Sequence, residues 1–233
     1  MSDLHRNAVV GVLSRGILRL PFLKEWLGSE IRPVTRLSSD AGLSAIAGWG
    51  CRPSSRKALA YACRHGLPYL GLEDGFLRSH GTGDQYPPLS LVVDEVGIYY
   101  DSTRPSALEQ RLNSDADLLD GIAGDVARAK ALILQHRLSK YNHAPDLSLR
   151  HLRPDDAARV LVIDQTAGDM SVTLGGASVE TFAAMLAAAR AENPGATIYV
   201  KTHPEVSSGR KRGYLTDLRD DDRTVVLREA VNP

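Results

Sequence analysis

The chain has 233 residues, of which 43% are hydrophobic and 24% charged, and its formal net charge is zero. This composition is typical of a globular protein with one large domain or two small ones. The zero net charge argues against a general nucleic-acid-binding protein, because such proteins need a cationic surplus to displace counterions.

The sequence has no run of the about 18 to 20 apolar residues that a membrane span needs. The apolar run Val9–Leu13 is followed by Arg15 and Arg19, with no small-residue cleavage site, so it is not a signal peptide. The two cysteines, Cys51 and Cys63, do not have the spacing of a zinc site. We therefore expect a cytoplasmic protein with free thiols.

In the first half of the chain, short apolar runs alternate with longer helical stretches, a pattern that predicts parallel βα units. The predicted strands are Val9–Leu13, Leu43–Trp49, Pro68–Leu72, Leu89–Val93 and Gly97–Tyr100, with a turn at Asp94-Glu95 between the last two. The predicted helices are Ser54–His65, Ser106–Asn113 and Ala116–Leu138. We expect Ser54 or Ser55 to cap the first helix and Gly66 to end it.

The polar segment 141–156 contains Pro145 and Pro154 and is typical of a linker. The pattern therefore predicts two α/β domains, residues 1–145 and 146–233. The second has about three strands, fewer than is usual for a sheet, and stops just after one, so we expect the natural protein to continue past Pro233. The elements predicted there are the strands Arg159–Ile163, Thr197–Lys201 and Thr224–Leu227 and the helix Ser178–Glu192.

Two adjacent carboxylates, Glu73 and Asp74, follow a predicted strand, at the end where open α/β sheets bind ligands. The nearby glycines Gly75, Gly81 and Gly83 allow close approach of the backbone. An alternative interpretation is a helix start, where acidic residues face the positive end of the helix dipole.

Two further polar clusters follow predicted strands. Asp164, Gln165, Thr166, Asp169 and Ser171 share one loop, which is either a binding loop or an ordinary turn. Another cluster combines a cation, a hydroxyl and an imidazole, a set that suits a phosphate, although a lone histidine is more often bound by a neighbour. Its members are Lys201, Thr202 and His203, with Lys211 downstream.

Together the three clusters predict carboxylates and a phosphate clamp in a cleft between two α/β halves, the arrangement of a nucleotide-sugar transferase. The sequence contains neither a Walker motif nor a GxGxxG motif after the first strand, which argues against a kinase or a dehydrogenase. The lack of GxSxG argues against an α/β-hydrolase.

Five strings resemble the signatures of the KpsC-type capsule polysaccharide β-Kdo transferases, in the order of that family. The longest, GLEDGFLRSHGTGDQYPPLSLVVDEVGIYYD at 71–101, is specific, and its one small departure is Thr82, where the family usually has Leu. The others are AGWGCRPS at 47–54, LSKYNHAP at 138–145, VLVIDQTAGDMSV at 160–172 and KTHPEVSSGRKRGYL at 201–215.

The resemblance implies an α/β, GT-B-like fold with two Rossmann-like lobes, the second truncated. Residues 1–145 would be the acceptor and Kdo side, and residues 146–233 the CMP side. Members of the family transfer Kdo from CMP-β-Kdo, with retention, to the poly-Kdo linker on a phosphatidylglycerol-type glycolipid. The resemblance implies no cofactor other than this donor, and we expect no obligatory metal because cations can stabilise the leaving phosphate.

The resemblance also assigns roles to carboxylates. The family pattern keeps a Gln, an Asp four positions on and a Ser two beyond it, which here are Gln165, Asp169 and Ser171. Asp169 is therefore the expected nucleophile of a double displacement, with Asp164 as its rival. Glu73 is the expected acid/base.

The remaining expected site residues are one further catalytic candidate and the groups that bind substrates. Asp74 is the rival of Glu73, and Arg78 would pair with a carboxylate of Kdo or of the protein. Trp49, Ser79, Gln165 and Ser171 would contact the sugars, and Lys201, His203, Pro204 and Lys211 would hold the CMP phosphate.

An alternative from another class is a non-catalytic capsule export or scaffold component that binds the glycolipid. The basic residues Arg210, Lys211 and Arg212 would suit anionic headgroups at the inner membrane, or else are an ordinary solvated surface.

Overall fold

The computed structural model describes residues 8–81, 85–145 and 158–229. The chain divides into two compact units, residues 1–143 and 144–233. Most of the predicted linker, and Thr82 and Gly83 of the long signature, lie outside the described residues.

The first unit contains a five-stranded sheet in the order β2-β1-β3-β4-β5, in which only β5 is antiparallel to its neighbour. Its elements are β1 (Val9–Val12), α1 (Arg15–Leu18), α2 (Leu23–Leu27), β2 (Glu30–Pro33), β3 (Ala45–Trp49), α3 (Pro53–His65), β4 (Tyr69–Asp74), β5 (Leu91–Asp94), α4 (Ala107–Leu112) and α5 (Ala123–Gln135).

Both faces of this sheet are buried, as expected for parallel strands with crossover helices. Because side chains alternate along a strand, neighbouring residues enter different cores. One core packs the strands against α1 and α2 and contains Val10, Val12, Ala45, Ala47, Leu70 and Leu72. The other packs them against α3 and contains Ile46, Ala58, Tyr61 and Ala62.

Helix α3 begins one residue before its predicted start. The N-cap position belongs to Arg52, which makes no side-chain cap, and Pro53 occupies the first turn, where a missing N–H is tolerated. The predicted caps, Ser54 and Ser55, are therefore wrong: Ser55 Oγ instead donates to the Trp49 carbonyl at 2.6 Å. Gly66 ends the helix with φ of 62°, as predicted.

Three other expectations differ from the structure. Residues 97–100 form no strand, because the buried Asp94 carboxylate accepts hydrogen bonds from the Val96, Gly97 and Ala107 N–H groups and turns the chain away. The long helix expected over residues 116–138 is confined to α5, with turns before it. Strand β2 was not predicted; it is a short edge strand that ends in Pro33.

The second unit contains a three-stranded parallel sheet in the order β6-β7-β8. All three strands have their predicted bounds, and Ser178 caps α7 in a capping box with Thr181. Its core includes Val162, Phe182, Leu186, Ile198 and Val200. The elements are β6 (Arg159–Ile163), α6 (Met170–Leu174), α7 (Val179–Glu192), β7 (Thr197–Lys201), α8 (Pro204–Ser207) and β8 (Thr224–Leu227).

None of the helices in the described parts of the chain is long and apolar enough to cross a membrane.

Candidate functional site

Glu73 lies at the carboxyl end of β4, beside the end of β3, where Trp49 pairs with Leu72. Its two carboxylate oxygens are held from different directions. Oε1 accepts hydrogen bonds from Trp49 Nε1 at 3.0 Å and from the Asp74 N–H at 3.1 Å. Oε2 accepts one from the Tyr100 hydroxyl at 3.3 Å. The structure thus brings the predicted residues Trp49 and Glu73 into direct contact.

Tyr100 is fixed by the backbone that follows β3. Its hydroxyl oxygen accepts a hydrogen bond from the Cys51 N–H at 3.0 Å. Gly50 makes this possible, because it has φ of 47° and because a Cβ there would overlap both the Tyr100 hydroxyl and Glu73 Oε2. A larger residue at position 50 would therefore push this group apart.

Burial raises the pKa of the Glu73 carboxyl above its usual value. The hydrogen bond from the Asp74 N–H lowers this pKa, the Asp74 charge raises it, and Arg52 and the Tyr100 hydroxyl lower it. A carboxyl group with a raised pKa at a strand end is suited to exchange a proton with a bound hydroxyl, which is the chemistry of a general acid/base.

Asp74 is in a different environment from Glu73. Its Oδ2 pairs with Arg78 Nε at 2.9 Å, and both side chains are largely buried. Arg78 Nη1 also donates to Ser79 Oγ at 2.8 Å and to the Tyr86 carbonyl at 2.7 Å. Ser79 is buried and donates to the Gly81 carbonyl. Arg78 thus pairs with a carboxylate of the protein, and one oxygen of Asp74 is engaged in that ion pair.

In the second unit, the ends of β6 and β7 are adjacent, because Ile163 pairs with Lys201. The loops that carry the second and third predicted clusters therefore start side by side. The sequence patterns predicted this placement, since parallel strands end at one edge of their sheet.

Asp164 joins two loops at this edge. It is completely buried, and its Oδ1 accepts hydrogen bonds from the Gln165 N–H at 2.8 Å and the Tyr214 N–H at 3.0 Å. Thr166 and Gly213 form an antiparallel bridge beside it. A Cβ at position 213 would overlap Asp164 Oδ2, which is buried without a hydrogen-bond partner among the described residues.

Asp169, in contrast, is exposed and caps α6. Its Oδ1 accepts hydrogen bonds from the Ser171 N–H at 2.9 Å and from Ser171 Oγ at 2.8 Å. Gln165, which follows Asp164 in the sequence, is half-buried. The structure thus brings the predicted residues Asp169 and Ser171 together and leaves Asp169 accessible to a ligand.

His203 caps α8, and its Nδ1 accepts a hydrogen bond from the Glu205 N–H at 3.1 Å. Since Nδ1 is an acceptor, the proton of the neutral ring is assigned to Nε2. Burial lowers the pKa of His203. The negative charges of Glu205 and Asp169 raise this pKa, and the positive charges of Lys211 and Lys201 lower it further.

The other predicted phosphate ligands differ in exposure. Lys211 is half-exposed and pairs with Glu205 at 2.7 Å, and Pro204 is the first residue of α8. Lys201 is buried, and its Nζ donates to the carbonyls of Thr202 at 2.8 Å and Glu229 at 3.2 Å. Burial lowers the pKa of Lys201. Lys201 thus bonds the backbone, while His203 and Lys211 are the groups that can reach a ligand.

Sequence reasoning did not single out Tyr100, Glu205 or the Gly213–Tyr214 pair. Tyr100 stands in the long signature, which was the one available signal for it. In the described ranges, no group of three or more His, Cys, Asp or Glu side chains comes together that could hold a metal ion.

Residues 44–233 match the family described as capsule polysaccharide biosynthesis protein. The chain belongs to this family. It is 49% identical over 224 residues to the capsule polysaccharide modification protein LipA of Neisseria meningitidis serogroup A, covering 94% of this chain and 31% of LipA. It is 37% identical to the lipopolysaccharide-processing protein LpsZ of Rhizobium meliloti, covering 71% of this chain and 38% of LpsZ. The chain thus spans about a third of the length of these relatives.

Two solved structures have a fold similar to that of this chain. The beta Kdo 2,4 transferase of Thermosulfurimonas dismutans KpsC is 48% identical and matches 97% of this chain and 70% of its own with a TM-score of 0.86. The beta Kdo 2,7 transferase of the same KpsC is 24% identical, and its TM-score of 0.55 shows likeness of fold alone. The predicted α/β, GT-B-like fold and the resemblance to KpsC-type proteins are confirmed.

Proposed function

We propose that this chain is part of a retaining β-Kdo glycosyltransferase that transfers Kdo from CMP-β-Kdo to the Kdo linker glycolipid of a capsular polysaccharide. The observation that carries the proposal is Glu73, a carboxyl group of raised pKa held at a strand end by Trp49 and Tyr100. The 48% identity to a beta Kdo 2,4 transferase supports the sugar and favours a 2,4 linkage.

In the proposed mechanism, Asp169 attacks the anomeric carbon of Kdo, the bond from that carbon to the phosphate oxygen breaks, and CMP leaves. Glu73 then takes the proton of the acceptor hydroxyl. The acceptor oxygen attacks the same anomeric carbon, and the bond from that carbon to Asp169 breaks. Two inversions give net retention. Glu73 returns its proton to solvent when the product leaves.

Asp169 is favoured over Asp164 as the nucleophile because of exposure. A nucleophile must reach the sugar, and Asp169 is exposed whereas Asp164 is completely buried. Ser171 donates two hydrogen bonds to a single oxygen of Asp169, which orients that carboxylate. Asp164 Oδ1 is occupied by two backbone N–H groups.

We propose that the CMP phosphate is bound by His203 Nε2–H, as a neutral donor, and by the Lys211 ammonium, with Lys201 supporting the backbone beneath them. Pro204, at the start of α8, fixes the direction of the chain after His203. Trp49, Ser79, Arg78 and Gln165 contribute to the walls of the sugar sites. These cations would stabilise the leaving phosphate without a metal.

The acceptor in this proposal is a phosphatidylglycerol-type lipid that carries β-Kdo. Such an acceptor would bring the protein to the inner surface of the membrane, where the cluster Arg210–Arg212 could contact anionic headgroups.

The test uses the whole protein that contains this chain, with CMP-β-Kdo generated in place and a synthetic acceptor ending in β-Kdo. Mass and anomeric NMR would identify the product. We expect a β-2,4-linked product from the wild type, a loss of at least about 10³-fold with Asp169→Asn, and a much smaller loss with Asp164→Asn. We also expect activity to persist after chelation of divalent metals.

Each contrary result is informative. Retention of activity in Asp169→Asn, with loss in Asp164→Asn, would move the nucleophile to Asp164. Restoration of lost activity by magnesium would overturn the metal-independent mechanism. Acceptor binding without transfer by the wild type would favour the export or scaffold component instead.

A further inference from the structure

We propose that Tyr100 is a positioning residue whose hydroxyl, fixed by the Cys51 N–H, aims one oxygen of the Glu73 carboxylate at the acceptor. The catalytic consequence rests on the function proposed above, whereas the structural relation between the two side chains does not.

The direction of the Tyr100 hydroxyl is set by its second partner. The oxygen accepts the Cys51 N–H, so its own hydrogen is left to point at Glu73 Oε2. Burial raises the pKa of Tyr100 above its usual value, so the phenol keeps this hydrogen through the neutral range.

The two oxygens of Glu73 are not equivalent. Oε1 already accepts two hydrogen bonds, from Trp49 and from the Asp74 N–H. Among the described contacts, Oε2 accepts one hydrogen bond, from the Tyr100 hydroxyl at the longer distance of 3.3 Å. Oε2 is therefore the oxygen with capacity for an acceptor hydroxyl, and Tyr100 is the group that orients it.

The neighbours that act on the charge of Glu73 are few. The Asp74 N–H favours ionisation through its hydrogen bond, the Asp74 charge opposes it, and Arg52, at the start of α3, favours it. Tyr100 favours the ionised form through the hydrogen bond of its hydroxyl, which a phenylalanine could not donate. Burial and the Asp74 charge raise the pKa of Glu73, and the Tyr100 hydroxyl lowers it. Without that hydroxyl, the carboxyl group would hold its proton to a higher pH.

A tryptophan beside Glu73 allows a direct test. The chain has two tryptophans, Trp26 and Trp49, and the Trp49 indole N–H donates to Glu73 Oε1. In the chain labelled with ¹⁵N-tryptophan, the Trp49 indole resonance should therefore report ionisation of Glu73. Trp26→Phe assigns the resonance, and loss of its titration in Glu73→Gln identifies the titrating group.

We expect the midpoint of this titration to move to higher pH in Tyr100→Phe. The matched control is Tyr61→Phe. It also removes a partly buried hydrogen bond donated by a tyrosine hydroxyl of the same unit, in this case to the Ser38 carbonyl at 3.0 Å, and that hydroxyl does not contact Glu73. The control should leave the midpoint unchanged. An unchanged midpoint in Tyr100→Phe, or an equal change in Tyr61→Phe, would overturn the proposal.

The activity measurement then separates positioning from simple support of the fold. In the whole protein, the acidic limb of kcat/KM should move to higher pH in Tyr100→Phe, because Glu73 must be ionised to act as a base. A uniform fall at every pH would mean a structural role only. If no transfer occurs in the wild type, the proposed function fails, and the indole titration still decides the relation of Tyr100 to Glu73.

Discussion

Glu73 is a partly buried carboxyl group whose ionisation is opposed by the folded structure. Its pKa is higher in the folded than in the unfolded chain, so its contribution to stability is fully present at low pH and is lost as pH rises through the folded pKa. Ionised Glu73 therefore does not stabilise the fold, which is consistent with a role in the chemistry of the site.

We therefore expect Glu73→Gln to lose the proposed transferase activity but to unfold at a higher temperature than the wild type at neutral pH. Glutamine keeps an oxygen for Trp49 and carries no charge to be buried. The difference in melting temperature should shrink as pH falls, because the wild-type carboxyl group then becomes protonated. Thermal unfolding across a pH series measures this, and a gap that widens toward acid would contradict it.

His203 combines two roles that different substitutions can separate. Asparagine is a good N-cap, so His203→Asn should preserve α8 while removing the Nε2–H donor. If the proposed phosphate contact is correct, we expect its KM for the donor to rise by about 10- to 100-fold, with little change in melting temperature.

His203→Ala is the companion variant, since it removes both the cap and the donor. It should raise KM similarly and also lower stability by about 1 kcal/mol. A KM in His203→Asn equal to that of the wild type would exclude the imidazole from the phosphate site.

At the scale of elements, the loops after β6 and before β8 are held together by backbone pairing around Asp164. The Ala167 N–H donates to the Arg212 carbonyl at 2.8 Å, next to the Thr166–Gly213 bridge. Phe182 of α7 stacks on Tyr214 with ring centroids 4.4 Å apart. This pairing sets the position of the chain that follows Lys211.

We expect Gly213→Ala to lower the free energy of unfolding by about 1–3 kcal/mol, because the new methyl group overlaps Asp164 Oδ2. Asp164→Ala should also be destabilising by about 1–3 kcal/mol, since two N–H groups lose their acceptor. In the double variant the overlap is gone, so its loss should be smaller than the sum. Additive losses in denaturant unfolding would show that the two residues do not interact.

The sequence allowed some elements to be predicted better than others. Strands β6, β7 and β8 are apolar runs bounded by polar residues, and their predicted bounds are those of the structure. The expected strand at 97–100 failed because the Asp94 side chain, not the apolar pattern, sets the path of the chain there.

The candidate site, too, was predictable only in part. The location of Glu73, Asp164 and His203 at strand ends follows from alternation of strands and helices. The contact between Glu73 and Tyr100 does not, because it joins residues 27 positions apart through a loop that has no periodic pattern. The roles assigned to the site residues remain predictions.

At the scale of the whole molecule, each unit has a core of its own. Leu72 is completely buried in the first unit and Ile198 in the second. We expect Leu72→Ala and Ile198→Ala each to cost about 2–5 kcal/mol of stability. Hydrogen exchange followed by mass spectrometry should show lost protection in residues 8–143 for the first variant and in residues 158–229 for the second.

Leu59→Ala is a suitable control, since Leu59 is an exposed apolar residue of α3 and its loss should change protection little. Loss of protection throughout the chain in both core variants would instead mean that the two units unfold together.

Strand β4 presents Glu73 and Asp74 in succession, one toward Trp49 and Tyr100 and the other toward Arg78. Consecutive side chains leave a strand in opposite directions. Which carboxylate faces Trp49 and which faces Arg78 therefore depends on its odd or even position along β4, as well as on the residue type. Gain or loss of one residue within β4 would exchange the two carboxylates between their surroundings. During divergence of this family, substitutions in β4 should therefore be accepted far more readily than changes in its length.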